Sequence, residues 1–473
     1  MILQRKRDLD MTEGPILSRL LVFALPLIFT NLLQVLYNAA DMVVVGLSSE
    51  PDAVGAIGTT GAFVALILNL FIGLSIGANV VVARHVGARD HKRASRAVHT
   101  ASLLGLILGI VGGIVGVAIA RPVMTLMGNE GQVLELSVRY TQIYFAAMPV
   151  HALSNYAIAL HRAKGDTRTP LVVLTATGLL NVVLNLFFVL VLGLSVEGVA
   201  LATGIAALVS AVVLYVNLAR DTGPCRFCVR KLCLDLAETK EILRIGVPSG
   251  VQSALFALSN MTIQSSIIRV NNALCDPNAP YQPVVKGNAA AGNLENFAYT
   301  VINSVSHATI SFVSQNLGAD RPDRIRKVMY RAYLFNFLLG AVLGLALVLC
   351  NRPLLALYGV SPSAADALGQ LAYEAAMVRI VLVISLYGLL ALYEIGAGVM
   401  RGLGHSVSST LICLVGACLL RVVWVFAVFP HFGTLEAIFL VYPISWVATA
   451  LPLYLVSRSI IARLLKRKAV EAR

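Results

Sequence analysis

The sequence predicts an all-α membrane protein of twelve transmembrane helices, arranged as two pseudo-symmetric six-helix bundles. Three observations carry this. Of 473 residues, 58% are hydrophobic and only 13% charged, with a mean hydropathy of +0.81; a soluble chain could not cover that much apolar surface, so the bilayer is its solvent. Twelve apolar segments are long enough to span: 16–46, 54–83, 97–120, 133–161, 170–192, 196–219, 241–269, 288–316, 328–351, 366–400, 407–430 and 434–458. At these lengths the spanning form is helical, because each segment must satisfy its own backbone in lipid. Finally, the stretch from Val82 to Ala94, with Gly87-Ala88 at its centre, recurs from Val313 to Ile325 around Gly318-Ala319.

In chain order, residues 1–15 form a basic, mixed N-terminal segment (Arg5, Lys6, Arg7, Asp8, Asp10) with no cleavable signal. Six helices over 16–219 make a first lobe, 220–240 a linker, six helices over 241–458 a second lobe, and 459–473 a basic tail. Segments beyond 25 residues tilt or project past the membrane. Pro26 matches Pro248 at an offset of 222, Gly87 matches Gly318 at 231, Leu126-Met-Gly128 matches Leu357-Tyr-Gly359 at 231, and Arg162 matches Arg401 at 239. The offset grows where outer loops lengthen, in 271–287 and near 361–367. With an even number of spans per half, both halves enter the membrane in one orientation, and a cavity between them is the natural site. With the N-terminus inside, 30 of the 37 Lys and Arg residues fall on inner loops, which places both termini in the cytoplasm.

Helix 1 carries Asn31, Gln34, Asn38 and Asp41 at spacings of 3, 4 and 3, one face of a helix. In lipid such a stripe faces water or protein. Helix–helix hydrogen bonding would account for the amides; it accounts poorly for Asp41, which has no basic neighbour in helix 1 beyond Arg19. A carboxylate there is protonated or holds a cation, as an ion-coupled carrier needs. Asn181 and Asn185 in helix 5 and Thr203 in helix 6 add amide and hydroxyl groups that suit a cation site or interhelical glue. These four form the candidate ion-coupling set, and Pro26, which removes a backbone hydrogen bond from helix 1, is the candidate hinge.

Candidate substrate contacts are Gln34, Tyr37, Asn38, Tyr140, Asn155 and Tyr156 in the first half and Gln264, Glu295, Asn303 and Glu394 in the second. Aromatic walls beside an acid suit an amphipathic organic cation; core packing is the other reading of each tyrosine. For Glu394 the alternative to a substrate role is pairing with an arginine, Arg379 or Arg421.

Other chemistries find little footing. The net charge of +13 is met by loops facing an anionic leaflet, without nucleic acid. Cys225, Cys228 and Cys233 cluster in the linker, but a fourth zinc ligand at sensible spacing is missing, so no metal is expected there. No Walker loop or His-Glu-x-x-His motif is present, so neither ATP nor hydrolytic metal chemistry is indicated and the chain reads as no enzyme.

The paired Val-Gly-Ala and Leu-Gly-Ala stretches, together with Leu160-His-Arg162-Ala-Lys-Gly165-Asp166-Thr167-Arg-Thr-Pro170 and twelve spans, resemble the multidrug and toxic compound extrusion (MATE) family over about residues 15–460. The resemblance implies a V-shaped pair of lobes and antiport, in which drugs leave as protons or sodium ions enter, with no other cofactor. Within the prokaryotic subgroup that has an N-lobe ion site, it matches Asp41, Asn181 and Thr203 to the family's site. Where that subgroup often carries a second aspartate, this chain has Asn185; where another subgroup has a helix 7 glutamate, it has Leu255. By the same analogy Pro26 bends helix 1 when Asp41 is protonated. The implied protein is a monomer in the bacterial inner membrane, handling amphipathic or cationic drugs. A lipid-linked oligosaccharide flippase of the same superfamily would line its cavity with several arginines; only Arg379 and Arg421 lie deep here.

Overall fold

The structure, a computed structural model, describes residues 8–46, 50, 52–275, 281–362 and 367–471. Arg5, Lys6 and Arg7, and the parts of the two lengthened outer loops at 276–280 and 363–366, lie outside the described residues.

Twelve helical segments follow one another: α1 (Ile16–Val45), α2 (Ala53–Gly87), α3 (His91–Leu126), α4 (Gly131–Ala146 and, after a 50° bend, Met148–Lys164), α5 (Arg168–Val191), α6 (Val196–Ala219), α7 (Leu236–Leu274), α8 (Pro283–Gly318), α9 (Pro322–Leu349), α10 (Ala367–Gly402), α11 (Ser406–Phe432) and α12 (Leu435–Glu471). Each coincides with one of the twelve expected spans, whose bounds overrun the helix by two residues at most. Among the described residues, ten helices are long and apolar enough to cross a membrane, and bent α4 makes an eleventh. The remaining one, α8, has the length at 36 residues but is diluted by polar groups such as Asn288, Glu295, Asn296 and Asn303.

Short polar side chains set the helix starts. Asp90 Oδ1 accepts from the Arg93 amide at 3.0 Å and opens α3. Asp166 Oδ1 accepts from the amides of Arg168 and Thr169, at 3.1 and 3.0 Å, and opens α5; Asp235 does the same for α7. The Lys164-Gly165-Asp166 motif is therefore a stop and a start. Gly165, at φ +101°, terminates α4, and the next residue caps α5.

The duplication extends to individual backbone hydrogen bonds. In the first Gly-Ala turn the amides of Ala88, Arg89 and Asp90 reach the carbonyls of Arg84, Val86 and His85; in the second, Ala319, Asp320 and Arg321 reach Gln315, Leu317 and Asn316. Arg89 and Asp320, equivalent at the 231 offset, are the two described non-glycine residues with positive φ, at 57° and 50°. Gly128 pairs with Gly359, and Gly165 with Gly404, all in the left-handed region. Gly87 abuts the Gln315 backbone and Gly318 the Arg84 backbone, so neither position has room for a Cβ.

By packing, the chain forms two compact units. The first runs through Ser253 and includes Ser314–Arg321; the second comprises Ala254–Val313 and the chain from Pro322 onward. The first boundary falls inside α7 because Gly246 and Gly250 let its early turns lie directly on the backbone of Leu74 and Leu70 in α2. Within unit 1, residues 8–12 are tied down at both ends of the duplicated framework. The Leu9 amide donates to Gly165 O (3.1 Å), the Met11 amide to Gln315 Oε1 (3.2 Å), and Asn316 Nδ2 to Met11 O (3.0 Å).

Candidate functional site

In unit 1 the predicted ion-coupling residues form one connected chain across α1, α5 and α6. Asn185 Nδ2 donates to Asp41 Oδ1 at 2.5 Å and approaches Asn181 Oδ1 at 3.3 Å. Asn181 Nδ2 in turn donates to Thr203 Oγ1 at 3.3 Å, and Thr203 donates to Val199 O at 2.9 Å. Every donor in the chain is neutral. No Lys or Arg lies within ion-pair distance of Asp41 among the described residues. Asn185 is fully buried, and its Oδ1 has no hydrogen-bond partner among them. A carboxylate next to an unpartnered amide oxygen is an acceptor-rich site, which a proton or a small cation satisfies.

The aromatic neighbours are fixed by packing. Tyr37 donates to Thr175 O at 3.2 Å, and its ring fills space that Gly178 leaves open. Tyr140 and Tyr144 are buried, stack at 6.0 Å, and both lie within electrostatic reach of Asp41. His151 stacks on Tyr144 at 4.8 Å, just beyond the α4 bend at Pro149. Gln34 and Asn38 are exposed on the α1 stripe, and Asn155 is partly buried, donating to His151 O. Tyr156 stands apart: it is fully buried with its ring against Gly105. Pro26 lies inside an unbroken α1, where Thr30 Oγ1 donates to its carbonyl at 2.7 Å.

Unit 2 holds two further polar groupings. In one, Arg379 Nε donates to Glu295 Oε2 at 2.7 Å and its Nη1 to Asn288 Oδ1 at 2.5 Å, while Asn288 Nδ2 donates to Gln264 Oε1 at 3.2 Å. Glu295 and Gln264 thus belong to one ion-paired network. In the other, buried Glu394 accepts from Tyr299 OH at 3.4 Å and from Asn303 Nδ2 at 3.2 Å. No arginine lies within ion-pair distance of Glu394 among the described residues, although Arg401 is near enough to act on it electrostatically. Arg379 is held by Glu295, and Arg421 bonds Ser445.

A family model, MatE, matches residues 26–187 and 283–426, which takes in Asp41, Asn181 and Asn185 of unit 1 and Asn288, Glu295, Arg379, Asn303 and Glu394 of unit 2. The chain belongs to the MatE family of transporters. It is a multi-span membrane transport protein and not an enzyme. The "Probable multidrug resistance protein YoeA" of Bacillus subtilis is 28% identical over 346 residues, covering 71% of this chain and 72% of the relative. The "Probable multidrug resistance protein NorM" of Thermotoga maritima is 24% identical over 438 residues, covering 90% and 89%. Among solved structures, a crystal structure of MATE in complex with MaL6 superposes with a TM-score of 0.87 over 98% of this chain and 100% of that one. At 21% identity it shows a shared fold.

The linker of this MATE chain is built as a packed element. Burial pushes the Cys225 thiol up to about 12. The Cys228 amide donates to His99 Nε2 at 3.0 Å, and Phe227 stacks on the same imidazole. Elsewhere His85, Glu238 and Glu241 come within 4.8 Å of one another. Arg93 and His85 hold Glu238, and Arg84 holds Glu241, so the group reads as an ion-pair network joining α2, α3 and α7.

Proposed function

We propose that this protein exports amphipathic, chiefly cationic drugs by antiport with protons or sodium ions, alternating access around sites in its two units. Both termini then lie in the cytoplasm of a bacterial cell, and the functional unit is the monomer. The observation that supports this most is the Asp41–Asn185–Asn181–Thr203 chain, a carboxylate on a membrane-spanning helix that meets only neutral donors.

Its chemistry follows from the cost of an unpaired charge on a membrane-spanning helix. Bare Asp41 is tolerable while Asn185 donates to it and water reaches it. A proton or cation removes the charge, and α1, whose carbonyl ladder is interrupted at Pro26, can then repack without stranding a carboxylate. Asn185 in place of a second acid leaves one titratable group in the chain, so one monovalent ion per cycle is the natural stoichiometry. Tyr37, Tyr140, Asn38 and Gln34 would meet the drug in unit 1; Asn303 and Glu394 would meet it in unit 2.

The test is export of a fluorescent organic cation from proteoliposomes under an imposed pH gradient and, separately, an imposed sodium gradient. One gradient should accelerate export and the other leave it unchanged. Equal rates with and without both gradients would remove the antiport reading.

A further inference from the structure

Arg379 and Arg421 of unit 2 are held differently. Arg379 is satisfied within the fold by a carboxylate, an amide oxygen and the Phe439 ring at 5.7 Å. Arg421 has no acidic partner among the described residues, although only 5% of its surface is accessible. Its one hydrogen bond among the described residues runs from Nε to Ser445 Oγ at 3.1 Å, and its guanidinium lies over the Tyr442 ring at 4.4 Å. Ser445 is itself locked, donating to Tyr442 O at 2.7 Å. The guanidinium is therefore held by one edge and one face, while the Nη edge, which carries the paired donors of the fork, makes no hydrogen bond to the described residues.

The backbone is shaped to place it there. A π-helical segment, Leu414–Leu419, directly precedes this part of α11, and within it Gly416 lets the helix close on Thr449 of α12. A π turn inserts an extra residue and re-aims the side chains that follow it, a device common at functional sites. A buried, pre-oriented guanidinium with unused paired donors is the arrangement that recognises carboxylate or phosphate.

We infer that Arg421 is an oxyanion-recognition site, taking the carboxylate or phosphate of an amphipathic ligand at its Nη edge. The substrate range then includes zwitterionic and anionic compounds as well as cations. This rests on the transporter reading above and adds a substrate class to it. An anionic lipid headgroup offers the same chemistry as a transported solute.

Two dyes that differ only at a carboxyl group test it: rhodamine 110, with a free acid, and rhodamine 123, its methyl ester. Binding of each to the full-length protein is measured by anisotropy in nanodiscs of zwitterionic lipid. Arg421→Gln should weaken the acid by about tenfold, the worth of a charge-assisted hydrogen bond, and leave the ester within about twofold. Arg421→Lys, which keeps charge but not the fork, should fall between and serves if the Gln variant does not fold. Equal loss for both dyes, or for neither, would overturn the inference. Repeating the titration with phosphatidylglycerol present identifies the source: competition with the acid in the wild type alone marks a headgroup, and none marks the solute. Export of the ester by wild-type vesicles tests the transporter reading separately.

Discussion

Asp41→Asn should lower gradient-driven export by about 5- to 150-fold, the usual range for coupling between two binding events. Asparagine preserves the size of the side chain and a hydrogen bond to Asn185, whose Nδ2 lies 2.5 Å from the native carboxylate. It can neither release a proton nor hold a cation by charge. The variant should still bind drug and let it run down its own gradient, while an imposed ion gradient no longer changes the rate. Initial export rates from reconstituted vesicles, with and without the gradient, check this directly. A full gradient response in the variant would remove Asp41 from the coupling role.

The second large effect is on stability. Glu295→Ala leaves the largely buried Arg379 guanidinium without its carboxylate, held only by Asn288 and the Phe439 ring. Breaking one side of a buried pair costs about 3–5 kcal/mol, so thermal unfolding in detergent should shift to clearly lower temperature. The double variant Glu295→Met with Arg379→Met should regain much of the loss, since apolar residues of similar size often replace a buried pair without penalty. If the single variant melts with the wild type, the pair is not a stabilising element. Arg379→Met alone, which strands Glu295, should mirror the effect.

Much of this was legible in the sequence, and the exceptions have physical causes. Twelve spans and their duplication could be read because lipid forces a long apolar run on each helix, and because Gly87 and Gly318 each sit where a Cβ would strike a neighbouring backbone. Asp41, Asn181, Asn185 and Thr203 were readable as helix-face polar residues and do come together. The 50° break in α4 falls between Ala146 and Met148, immediately before Pro149. Partner choice was harder. Whether Glu394 meets an arginine or a neutral donor depends on how α8 and α10 pack, and α8 presents Tyr299 and Asn303 instead. Tyr299 could have been found from its spacing, one turn before Asn303 on the same face. The π segments Phe187–Val191 and Leu414–Leu419, and the 3-10 turn at Ile384–Leu386 within α10, carry no local signature. They arise from tertiary packing of otherwise ordinary apolar helix.

That Asp41 joins ion movement to drug movement is tested most directly by running the cycle in reverse. Vesicles holding the protein, with no ion gradient imposed, are loaded with a pH-sensitive or sodium-sensitive dye and given a drug gradient. The expected result is ion flux opposite in direction to the drug, about one ion per drug molecule, and absent in Asp41→Asn. Drug flux with no accompanying ion movement in the wild type would overturn the coupling, and with it the role given to Asp41.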